Sequence, residues 1–128
     1  DDVIAEFPRV DDRLNGLPHR YGYTAAALEG GMGAAPKFDA ILKYDLKTGK
    51  RETHHFRGKG CGEAVFAPKS SDAAEDDGYL MTFVYDPEKD GSELVLLDAR
   101  NVGGEPVARV LMPHRVPYGF HGNWVAAE

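Results

Sequence analysis

Residues 79–86 read YLMTFVYD, and residues 21–28, 58 positions earlier, read YGYTAAAL. In both, apolar side chains alternate or run in short blocks, the pattern of β-strands rather than of helices. The segments downstream of each return in the same order. AILKYD at 40–45 is matched by ELVLLD at 93–98, and RETHHF at 51–56 by PVARVLM at 106–112. Ahead of each set stands a polar residue: Glu6 in AEFPR, Glu63 in GEAVFAP 57 residues later, and His121 in YGFHG after a further 58. Each repeat thus holds an opening strand carrying a polar residue and three further strands, the sequence form of a four-stranded propeller blade. The chain reads as all-β, about two four-stranded repeats plus the start of a third, and the repeat order favours a propeller over an open sandwich.

The remaining sequence is consistent with that frame. Strands are expected at 21–28, 39–46, 51–56, 63–67, 79–85, 93–98 and 106–112. The 15 glycines and 8 prolines imply many turns. DLKTGK at 45–50 is a tight-turn sequence between two strands, SSDAAEDDG at 70–78 reads as an exposed acidic loop, and EGGMGAAP at 29–36 as a flexible one. Neither loop is followed by a helix pattern, so neither is a phosphate cradle.

Composition excludes several function classes. The 128 residues are 42% hydrophobic and 28% charged, ordinary for a soluble globular domain, with no apolar run long enough for a transmembrane segment. The formal charge is −6, with 15 basic residues scattered among 21 acidic ones, so the positive field that nucleic acid requires is missing. Cys61 is the sole cysteine. It can form no internal disulfide, and a reducing, cytoplasmic location is the simplest expectation.

In a propeller the innermost strand of each blade lines the central axis, so Glu6, Glu63 and His121 are expected to converge there. Two carboxylates and an imidazole in a largely dry channel are costly unless a cation binds or the acids pair with donors. One reading is a metal site in which His121 is a ligand and the glutamates accept ring N–H bonds from ligand imidazoles. The other is that His121 is a satisfied turn histidine and the glutamates lie at a solvated rim. Spacing alone slightly favours the second. A self-contained zinc module is disfavoured because Cys61 and the histidines lack paired spacing.

EFPRVDDRLNGLPHRYGY (6–23), GEAVFAPKSSDAAEDDGYLMTFVYD (62–86), SELVLLDAR (92–100) and PVARVLMPHRVPYGFHGNW (106–124) together resemble the C-terminal part of a carotenoid cleavage oxygenase. The likeness is to the bacterial branch that includes apocarotenoid and lignostilbene dioxygenases, and it covers almost the whole chain. It implies the C-terminal blades of a seven-bladed β-propeller, residues 1–128 being a partial propeller within a larger catalytic domain. The family carries a non-haem Fe(II) on the axis held by four histidines, three of them braced by glutamates. By motif, His121 in GFHG corresponds to the last iron ligand, Glu63 in GEAVF to the glutamate bracing it, and Glu6 in EFPR to a glutamate bracing an earlier ligand. Glu63 is therefore expected within hydrogen-bond reach of His121. The implied reaction is insertion of O2 into a conjugated C=C bond of a carotenoid, apocarotenoid or stilbene, giving two carbonyl products, with Fe(II) as the only cofactor.

His19, His54, His55 and His114 do not sit in ligand motifs, and the adjacent His54 and His55 would face opposite sides of a strand. Three ligands and one bracing glutamate would then lie outside this stretch, leaving the isolated chain inactive and prone to oligomerise through uncovered blade faces. Tyr118 and Phe120 flank the ligand motif and are candidate lining of an apolar substrate path, with packing the commoner fate of such aromatics. The glycines beside Phe120 and His121 are expected to let the backbone approach the axis closely. Arg9, Arg20 and Arg115 are candidates for pairing between blades, although surface solvation is the preferred reading for them. A propeller that has lost its chemistry and serves as a binding scaffold is the alternative.

Overall fold

The structure is a computed structural model that describes residues 2–29 and 37–127. Its first sheet is an antiparallel meander of β1 (Ile4–Arg9), β2 (Tyr21–Ala27), β3 (Ala40–Asp45) and β4 (Lys50–His55), hydrogen-bonded in chain order. The second repeats that order. A broken inner strand, β5 (Gly60–Cys61) and β6 (Val65–Pro68), pairs along β7 (Gly78–Asp86), followed by β8 (Gly91–Asp98) and β9 (Ala108–Leu111). The only helical element among the described residues is a 3-10 turn at Asp12–Leu14. YGYTAAAL and YLMTFVYD form the second strands of the two sheets. The expected boundaries hold to within one or two residues for most strands.

Alternation fixes which face each strand buries. Along β7, Leu80, Thr82 and Val84 are buried while Met81 and Phe83 turn the other way. Leu80 and Val84 join Phe66, Val95 and Leu97 against Tyr23, Ala25 and Ile41 of the first sheet, so the main core lies between the two sheets. In β2 the residues Tyr23 to Ala26 are all buried. Small side chains suit a strand covered on both faces, and Ala26 forms a second cluster with Ala40 and Leu42.

Two expectations need correction. Residues 112–127, read as the opening of a third repeat, contain no strand. A strand exists through its ladder, and beyond the Met112 N–H, which donates to the Ser92 carbonyl at 2.9 Å, no described strand pairs with this segment. It lies instead over the outer face of the second sheet, with the Val116 N–H donating to Ser92 Oγ at 2.9 Å. The acidic stretch 70–78 is exposed only in part. Glu75 Oε1 accepts the backbone N–H groups of Arg20 and Tyr21 at 2.6 and 2.7 Å, and Asp76 pairs with the buried Lys43 at 3.0 Å, so this loop ties the second sheet to the first. The expected loop at 29–36 lies, apart from Glu29, outside the described residues.

Candidate metal centre

Irregularities in the two inner strands build the site. In β1 the register runs from Glu6 opposite Ala25 to Arg9 opposite Tyr23, so three steps on one strand meet two on the other. This is a β-bulge, and Phe7 within it adopts φ 57°, a left-handed conformation costly for a residue with a Cβ. In the second sheet the equivalent strand breaks between β5 and β6, and Glu63 sits in the break. Both irregularities are pinned alike. Thr24 Oγ1 donates to the Glu6 carbonyl at 2.6 Å, and Thr82 Oγ1 to the Gly62 carbonyl at 3.1 Å.

The break turns the Glu63 carboxylate onto the C-terminal segment, where its side chain is only 4% exposed. Oε1 lies 3.2 Å from His121 Nδ1, and Oε2 accepts the Gly122 N–H at 2.8 Å. Arg9 Nη1 stands 3.2 Å from the same Oε2. Burial pushes the Glu63 carboxyl up, but bonds from Gly122, His121 and Arg9 outweigh it and hold the group below the usual carboxylate range. An ionised carboxylate only accepts, so the contact places a hydrogen on His121 Nδ1 and, in the neutral ring, leaves the Nε2 lone pair free. The ring meets Phe7 edge-on at 5.6 Å between centroids, while 73% of the His121 side chain is exposed. An imidazole oriented from behind, with its far nitrogen open, is the donor arrangement a metal ligand requires.

The structure brings Glu63 and His121 into contact. Glu6 is exposed, and its carboxylate makes no hydrogen bond or ion pair with either residue among the described residues. No group of three or more His, Cys, Asp or Glu side chains able to hold a metal occurs among the described residues. His54 and His55 are on β4, the edge of the first sheet opposite β1, where His54 packs on Phe56 and His55 Nε2 lies 3.6 Å from Asp39. His19 is exposed near the Leu17 carbonyl, and His114 is exposed. Cys61 is buried, burial pushes its thiol up to about 12, and its Sγ lies 3.6 Å from the Ala40 carbonyl.

Tyr118 and Phe120 border an apolar cavity of about 470 Å³ between the C-terminal segment and the outer face of β7 and β8. Tyr118 lies over Gly60 and meets Tyr85 edge-on at 6.0 Å, and Phe120 is 77% exposed. Among the described residues nothing crowds the glycines beside His121. A Cβ at Gly119 would touch nothing within 4 Å, and one at Gly122 only Val65 Cγ2 at 3.9 Å. The solvated reading of Arg9 is also corrected: it pairs across the two sheets with Glu63. Arg20 pairs with Asp45 inside its own sheet, and Arg115 stacks on Tyr85 at 4.5 Å. Sequence reasoning missed the roles of Arg9, Phe7 and the two threonines. The threonines alone left a signal, since both stand fourth in the matched stretches YGYTAAAL and YLMTFVYD.

The profile of the family described as RPE65, retinal pigment epithelial membrane protein, matches residues 1–126. The chain belongs to this family, which takes in carotenoid cleavage oxygenases and lignostilbene dioxygenases. It is 40% identical over 120 residues to the apocarotenoid-15,15'-oxygenase of Synechocystis sp., covering 93% of this chain and 24% of that protein. Among solved structures it superposes on the lignostilbene dioxygenase of Pseudomonas brassicacearum with a TM-score of 0.90 at 32% identity, covering 98% of this chain and 28% of that one. A cobalt-substituted Synechocystis oxygenase gives 0.84 at 34% identity, covering 96% and 26%. The chain thus spans about a quarter of the length of the relatives it matches. Its two meanders are blades of the family's propeller. No described helix is long and apolar enough to cross a membrane.

Proposed function

We propose that the natural protein carrying this chain is a non-haem Fe(II) dioxygenase that cleaves a conjugated C=C bond of a carotenoid, apocarotenoid or stilbene. The double bond breaks, each carbon takes one oxygen atom of O2, and two carbonyl products leave, so no external reductant is needed. The observation carrying this reading is the Glu63–His121 contact, which leaves Nε2 of an oriented imidazole open. A relative is named for an apocarotenoid and a solved neighbour for lignostilbene, which supports this substrate range. The cobalt-substituted neighbour supports a metal at its centre.

Bound iron would supply the activation of O2. The chain's own residues hold and orient. His121 donates Nε2, Glu63 fixes the ring's tautomer and direction, and Glu6, one residue before the bulge, braces a histidine contributed from outside residues 1–128. Phe120 and Tyr118 line the apolar approach. With a single ligand histidine, residues 1–128 in isolation are inactive and associate through uncovered blade faces.

The test is incubation of the natural protein with an apocarotenal or a hydroxystilbene under 18O2. Two labelled carbonyl products are expected from one of the substrates, and none from residues 1–128 alone. Absence of cleavage of either substrate by an iron-loaded natural protein would leave the scaffold reading in its place.

A further inference from the structure

Gly122, directly after the candidate ligand, is gripped at both of its backbone polar groups. Its N–H donates to Glu63 Oε2 at 2.8 Å, and its carbonyl accepts from Arg9 Nη1 at 2.9 Å. Arg9 Nη2 reaches Asn123 Oδ1 at 3.2 Å and Asp12 Oδ2 at 3.0 Å. One guanidinium in the first blade thus touches the bracing carboxylate in the second blade and two successive residues of the ligand-bearing segment. It does so with only 17% of its side chain exposed.

These contacts matter because residues 112–127 have no strand ladder to hold them. Around His121 the backbone is fixed by Glu63 from one blade and Arg9 from the other. Arg9 also occupies Oε2 together with the Gly122 N–H, which leaves Oε1 for the imidazole. The bulge at Phe7 aims it there, since removing the extra residue would turn the Arg9 side chain to the other face.

We infer that Arg9 is a positioning residue: it sets where His121 stands by clamping Gly122, Asn123 and Glu63 across the blade boundary. This rests on the reading of His121 as an iron ligand. Lysine cannot replace it, because a single ammonium lacks the planar fork that meets several acceptors at once.

The experiment uses the natural protein, loaded with Fe(II), and follows release of iron to a ferrous chelator together with the melting temperature. Arg9→Lys is expected to release iron about tenfold to a hundredfold faster than wild type, the scale seen when a ligand's supporting partner is lost, at a temperature well below its melting point. Arg9→Ala is expected to do so at least as fast; should it fail to fold, Arg9→Lys and Asn123→Ala decide, the latter removing one grip and giving a smaller acceleration. Release at the wild-type rate from folded Arg9→Lys overturns the inference. So does faster release that vanishes once the variants are compared at equal distance below their melting points, because that is a general loss of stability. His121→Ala is run alongside. If it keeps its iron, the ligand reading itself has failed; if it loses iron while Arg9→Lys does not, only the role of Arg9 has.

Discussion

Thr24 and Thr82, 58 residues apart, make the same bond in the two blades: each hydroxyl donates to the carbonyl at which the inner strand departs from regular pairing, Glu6 at 2.6 Å and Gly62 at 3.1 Å. Both side chains are buried. Valine keeps the shape and removes the donor, so Thr24→Val and Thr82→Val should each cost about 1–3 kcal/mol of stability. The measurement is the unfolding midpoint in denaturant. Unchanged midpoints in both variants would show that the irregular strands do not depend on these bonds.

A Cβ at Gly60 would fall 2.7 Å from the Tyr118 hydroxyl. The far end of an exposed side chain yields more readily than backbone, so Gly60→Ala should displace Tyr118 and leave the sheets intact. The expected outcome is faster amide hydrogen exchange at residues 116–121, with β7 and β8 unaffected. Tyr118→Ala should raise exchange at the same amides. Wild-type exchange in both variants would mean that the segment is held without this contact.

His54 supplies a pH dependence. Burial pushes its imidazole below the ordinary value of 6.5, while bonds to the backbone at Val102 and Gly104 push the other way and are outweighed. Below about pH 6.5 the unfolded chain therefore takes up this proton more readily than the folded one. The stability that neutral His54 contributes is complete above that pH and is lost as pH falls through the lower folded value. The drop in unfolding midpoint between pH 7.5 and 5.5 should be smaller in His54→Gln than in wild type. An equal drop would assign the pH dependence to other groups.

Much of the fold was legible in the sequence because two blades share one order of elements. The 57- and 58-residue spacings located Glu6, Glu63 and His121, and the alternation in YLMTFVYD gave the buried face of β7. The resemblance, not the spacing, selected Glu63 and His121 as a pair. Arg9 stood only as one of three arginine candidates for pairing between blades, because its partners Glu63, Gly122 and Asn123 lie 54 and more than 110 residues away, joined by packing that no local pattern encodes. Residues 112–127 open a third repeat in sequence order, but strand structure also needs a partner to pair with. The loop at 70–78 has the composition of a solvated turn, and the use of Glu75 to cap the backbone of β2 depends only on how the blades stack.

Whether His121 is an iron ligand oriented by Glu63 is decided by bound iron per chain in the natural protein, as wild type and as His121→Ala. We predict close to one iron in wild type, lost on substitution. Full iron retained by His121→Ala, or no iron in either protein, would contradict that assignment.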